Sequence, residues 1–113
     1  MRPVRGRIGL ADLKEMAAHG FGILVKAVVD VEAGVVAVDA ELHADEEALL
    51  LENGSARQNL WGINRYPDVE GEEWIEFDPM INLRPASGNR SRGIDDPAVR
   101  DRVRAVVTGL VQR

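Results

Sequence analysis

The chain has no cysteine in its 113 residues. That excludes a disulfide scaffold, a thiolate zinc centre and a cysteine nucleophile, and it fits a reducing cytoplasm. Long apolar runs are missing too. None approaches the roughly 20 residues a membrane span requires, and the basic lead Met1-Arg2-Pro3-Val4-Arg5-Gly6-Arg7 precedes no apolar signal core. The expectation is a cytoplasmic protein with no membrane partner. Serine is sparse: Ser55, Ser87 and Ser91 are the only ones, and none sits in a Gly-x-Ser-x-Gly elbow. There is no P-loop, no dinucleotide fingerprint and no residue-level repeat.

What is present is a core-forming composition, 45% apolar, at a length that suits one domain over residues 1–113, with 1–8 expected to be loosely ordered. The net charge of −5 conceals an uneven distribution. Residues 8–83 hold 16 acidic and four basic side chains, whereas from Arg84 onward seven arginines face three aspartates. An acidic body argues against general nucleic-acid coating, which needs a basic face. It permits a local anion site near the carboxyl end.

Apolar Leu10, Leu13, Met16 and Ala17 recur at helical spacing, and Gly20 stands where a C′ glycine belongs, so a helix is expected over 10–19. Alternating β-branched residues predict strands over 23–31 and 35–43, joined by a turn at Glu32-Ala33-Gly34. Segment 45–54 reads as a helix capped by Asp45 and closed by Gly54, although Asn53-Gly54 is also a hairpin signal. Strands follow over 60–66 and 74–84, the latter with a bulge or edge at Pro79, and a last helix starts after Asp95 or Asp96 with Pro97 at its first position. The order α-ββ-α-ββ-α predicts an α+β fold: an antiparallel sheet of four or five strands with its helices on one face.

Strand alternation puts Asp39, Glu41 and His43, then Glu76, Asp78, Asn82 and Arg84, on the face away from the core, with Lys26, Asn64 and Tyr66 beside them. Such a face is ordinarily solvated surface. The chemical alternative starts from Glu41-Leu42-His43-Ala44-Asp45. If alternate residues project together, Glu41, His43 and Asp45 make a divalent-metal site for zinc, manganese or iron, or a catalytic acid–base cluster around the imidazole. A structural role for His43, bonding a loop, stands against both. His19 has a simpler explanation in the helix dipole.

The second candidate is Gly88-Asn89-Arg90-Ser91-Arg92-Gly93, which leads into the last helix. Arg84, Asn89, Arg90 and Arg92 there suit a small anionic ligand, since guanidinium groups fork onto phosphate or carboxylate oxygens. Asp95 and Asp96 would neutralise the same helix end, and the arginines then pair with the acidic body. Trp61 and Trp74 read as core or interface packing.

Glu41-Leu42-His43-Ala44-Asp45, Leu60-Trp61-Gly62-Ile63-Asn64, Tyr66-Pro67, Ile81-Asn82-Leu83-Arg84-Pro85 and Gly88-Asn89-Arg90-Ser91 together resemble a small bacterial family catalogued only as a domain of unknown function. The similarity runs from the first helix to the last. It implies a bacterial origin and one domain, and no activity. The family resemblance also implies glycines at the positions of Asp39-Ala40, so a tight backbone approach before Glu41 is in doubt here.

Two functions follow from these residues. One is a homo-oligomeric binding or interaction module with an anion-accepting arginine loop, a two-fold dimer being the simplest self-association. The other is a small hydrolase of phosphate esters in a nucleotide or RNA. It would use His43 with its carboxylates as base or metal site and Arg84, Arg90 and Arg92 as the phosphate clamp.

Overall fold

A computed structural model describes residues 2–4, 8–69, 74–77, 80–85 and 88–112. Five strands form one antiparallel sheet in the order β1-β4-β3-β5-β6: β1 (Arg2–Val4), β3 (Val25–Asp30), β4 (Val35–Val38), β5 (Leu60–Arg65) and β6 (Ile75–Glu76). A short parallel pair, β2 (Ile8–Gly9) with β7 (Val111–Gln112), joins the two ends of the described chain. Three helices complete the fold: α1 (Leu10–His19), α2 (His43–Glu52) and α3 (Pro97–Leu110). The α+β class, the antiparallel sheet and the alternation of hairpins with helices are as the sequence pattern predicts.

The helices do not share one face. On one side Leu13 and Ala17 of α1 and Val103 and Val107 of α3 bury Val25, Ala27, Val29, Val36, Val38 and Ile63. On the other, Leu50 of α2 packs with Val28, Val35, Ala37 and Leu60. The reason lies in β3 and β4, which are apolar at consecutive positions and not merely at alternate ones. A sheet with two apolar faces needs cover on both.

Of the amino-terminal stretch, Arg2–Val4 pair with β4 and Ile8 is buried. The second strand stops at Val38, not His43: Asp39 takes φ 70°, a left-handed conformation that ends the extended run. Glycine is the residue expected there by family resemblance, and aspartate adopts the same geometry. Segment 45–54 is helical, and α2 begins two residues before the expected Asp45 cap, with Leu42 at its N-cap and Gly54 (φ 99°) after its end. Gly20 is not left-handed; Gly22 is, at φ 88°.

The long strand over 74–84 is replaced by the two-residue β6 and a 3₁₀ turn at Met80–Asn82. Asp78 and Pro79, with its expected bulge, lie outside the described residues. Asp96 caps α3 by accepting the Ala98 N–H at 2.9 Å, and Pro97 occupies the first helical position as expected.

Candidate functional site

Direct cross-strand partners lie on the same face of a sheet, so the register Lys26–Asn64–Glu76 across β3, β5 and β6 builds one polar row. It lies on the face covered by α2, beyond the amino end of that helix. Asn64 Nδ2 donates to Glu76 Oε1 at 2.7 Å and the Tyr66 hydroxyl donates to the same oxygen at 3.2 Å. Lys26, Asn64, Tyr66 and Glu76 therefore do meet, as strand alternation suggests. Asp39, Glu41 and His43 reach this region by another route, since they follow β4 instead of belonging to it.

His43 opens α2 and lies 2.7 Å, through Nε2, from the Ile63 carbonyl oxygen. A carbonyl accepts only, so Nε2 carries the hydrogen in the neutral ring. Burial lowers the imidazole below its ordinary value and the Lys26 charge adds to this, against the Ile63 bond and the neighbouring Asn64 side chain. His43 is thus a neutral, positioned imidazole. Among the described residues no three His, Asp or Glu side chains gather to hold a metal ion. Glu41, His43 and Asp45 need a strand through all three to converge, but β4 ends at Val38 and His43 and Asp45 already belong to α2.

Glu46 sits one turn after His43 and is fully buried, a position for which charge alone gives no reason. Its Oε2 accepts the Ala40 N–H at 3.3 Å, while Oε1 has no hydrogen-bond partner. Burial pushes its carboxyl up to about 9, against smaller opposing effects of the Ala40 bond, Lys26 and the α-amino group. It reads in the sequence as one of several acids favouring the helix amino end. The overlooked signal is spacing: Glu46 falls four residues before Leu50, on the stripe that faces the sheet.

The arginine loop is assembled around its own chain. Arg84 donates through Nε to the Ile81 carbonyl at 3.1 Å, through Nη1 to that of Arg57 at 3.0 Å and through Nη2 to that of Leu60; it also lies 3.9 Å from Glu47 and stacks over Trp61. Asn89, which is buried, donates its two side-chain hydrogens to the carbonyls of Asn82 and Gly93, lies 3.0 Å from that of Ser91 and accepts the Asp95 N–H at 2.8 Å. The loop does hold an anion, and that anion is Asp95: its carboxylate accepts the Arg90 N–H at 2.7 Å and the Ser91 hydroxyl at 2.6 Å. Those bonds hold the Asp95 carboxyl below its usual value, the Ser91 bond most strongly. Arg90 and Arg92 are exposed at the loop surface. Trp74 packs against the core under the Arg65 guanidinium, and Trp61 packs there too, as expected for packing aromatics.

The polar row borders a cleft of about 240 Å³ lined by Met16, His19, Phe21, Lys26, Asp39 and Glu41, among others. Lys26 is fixed in its wall. Nζ donates to the Glu41 carbonyl at 2.8 Å and lies 4.5 Å from the centre of the Phe21 ring. An ammonium has three donors, so this geometry uses one and aims the group without exhausting it. His19, at the rim, lies 3.9 Å from Glu15, with both side chains exposed.

Comparison with known proteins gives a family and nothing beyond it. The chain belongs to the family described as "Protein of unknown function (DUF5674)", whose model matches residues 3–110. No curated protein and no solved structure matches.

Proposed function

We propose that the chain is a binding module and that its ligand site is the cleft at Lys26, between the carboxyl end of α1 and segment 39–41. The observation that carries this reading is the positioned ammonium, held by the Glu41 carbonyl and the Phe21 ring in a cleft with one apolar wall. Asp39 and Glu41 line the same cleft. The matching ligand is a small zwitterion: a carboxylate on Lys26, an amine facing Asp39 and Glu41, and an apolar body against Met16 and Phe21. Self-association belongs to the same reading, since Phe21 and the neighbouring Ile23 are 47% and 66% exposed.

The arginine loop is the weaker ligand site. Its main-chain and hydroxyl donors already serve Asp95, and the Arg84 guanidinium serves three carbonyls. The hydrolase reading keeps one favourable observation, the neutral His43 beside Asn64. It needs a phosphate clamp next to that imidazole, and Arg84 is spent on the fold.

Thermal shift with leucine, 3-methylbutylamine and inorganic phosphate tests the assignment. Ligand that binds only the folded state raises Tm. Leucine raises it in the native chain and in Arg90→Ala but not in Lys26→Ala; 3-methylbutylamine, without the carboxylate, has no effect. A shift by phosphate that survives Lys26→Ala and disappears in Arg90→Ala transfers the site to the loop. Loss of a phosphate-ester turnover in His43→Ala would establish the hydrolase instead.

A further inference from the structure

Ala40 lies at the junction of two surfaces. Together with Asp39 and Glu41 it lines the Lys26 cleft, and with Glu41 it lines a more open groove along Asp45, Leu49 and Glu52 of α2. Its N–H is fastened to the Glu46 carboxyl beneath the helix. That carboxyl is fully buried and its second oxygen has no hydrogen-bond partner. The charged groups that influence it are Lys26 from β3, Asp39 from the segment itself and the α-amino group, with His43 one turn earlier on its own helix. Lys26 does not neutralise it by a direct bond, because its ammonium is on the Glu41 carbonyl. A carboxylate with one long bond and an orphaned oxygen is far costlier to bury than the neutral acid.

We propose that Glu46 is a proton-held latch: as the neutral acid it stays under α2 and fixes Ala40, and loss of its proton favours an opened form in which segment 39–41 leaves the helix. Opening lets water reach the carboxyl, which then returns to its ordinary range near 4.5, while burial keeps it at about 9 in the closed form. Between those two values the opened form gains about tenfold in population per pH unit, because it releases a proton that the closed form retains. The physiological range lies inside this window. The consequence for ligand affinity at Lys26 rests on the cleft reading above; the latch itself does not.

Amide hydrogen exchange at Ala40 tests it without any ligand. Ordinary exchange through a pH-independent opening is first order in hydroxide, a slope of about one in log rate against pH, and the latch adds a proton-linked opening that raises the slope to about two. Between pH 6 and 8 the native chain shows that steeper slope at Ala40, at rates above those of Val28 in the centre of the sheet. Glu46→Gln, which is always neutral, returns Ala40 to a slope of about one. If the glutamine variant does not fold, the native slope still decides. A slope of about one at Ala40 in the native chain overturns the latch, as does an Ala40 rate no faster than that of Val28, which would assign the opening to global unfolding.

Discussion

Asn82 lies against Gly62 as a strand residue would: its Oδ1 accepts the Gly62 N–H at 2.8 Å and its Nδ2 donates to the Gly62 carbonyl at 2.9 Å. The same Nδ2 lies 3.1 Å from the Arg92 carbonyl, so one buried amide completes the edge of β5 and ties the arginine loop to it. Asn82→Ala orphans several buried main-chain groups at once and is expected to cost roughly 2–4 kcal/mol. Asn82→Asp, which has no donor for the two carbonyls, is expected to be no better. Urea denaturation of both variants checks this, and a loss below about 0.5 kcal/mol removes the staple from the account.

Asp95 is the anion of its own loop, and its carboxyl is held low by Ser91 and Arg90. The sign follows from the lowered folded value: the contribution is present above the ordinary aspartate range near pH 4 and is lost as pH falls through the folded value. Carboxyl NMR titration should place Asp95 below the ordinary range in the native chain and within it in Ser91→Ala. Asp95→Ala should leave the loop's donors open and give inorganic phosphate a binding isotherm that the native chain lacks.

His43 has the same sign of dependence in a higher pH range, for its folded value is lowered by burial. As pH falls below 6.5 the unfolded chain takes up the proton first, so stability is lost between that value and the lower folded one. His43→Gln keeps a donor for the Ile63 carbonyl and should remove this acid slope. His43→Ala should cost about 1–2 kcal/mol through the lost bond. An imidazole that titrates above 6.5 in the native chain contradicts the burial argument.

The legible parts of the fold are those written by local chemistry. Alternating valines marked β3 and β4, and Asp96-Pro97 marked the start of α3 to the residue. Alternation misled where a tertiary contact took over. Residues 74–84 alternate well enough for a strand, yet Asn82 turns its amide onto Gly62 and breaks the run into a 3₁₀ turn. Continuing β4 through His43 failed for a backbone reason, the left-handed Asp39, which no side-chain pattern announces. Of the polar face, Lys26, Asn64, Tyr66 and Glu76 were readable because they do lie on strands or next to one. Glu46 was not, because its own helix, α2, packs on the face of the sheet that the sequence pattern leaves to solvent.

The placement of the ligand site is tested most directly by backbone amide shifts recorded during a leucine titration of the native chain. The account predicts perturbations at Phe21, Lys26, Asp39 and Glu41 that saturate together and vanish in Lys26→Ala. Perturbations confined to Arg90, Ser91 and Asp95, or none at any leucine concentration, would contradict it.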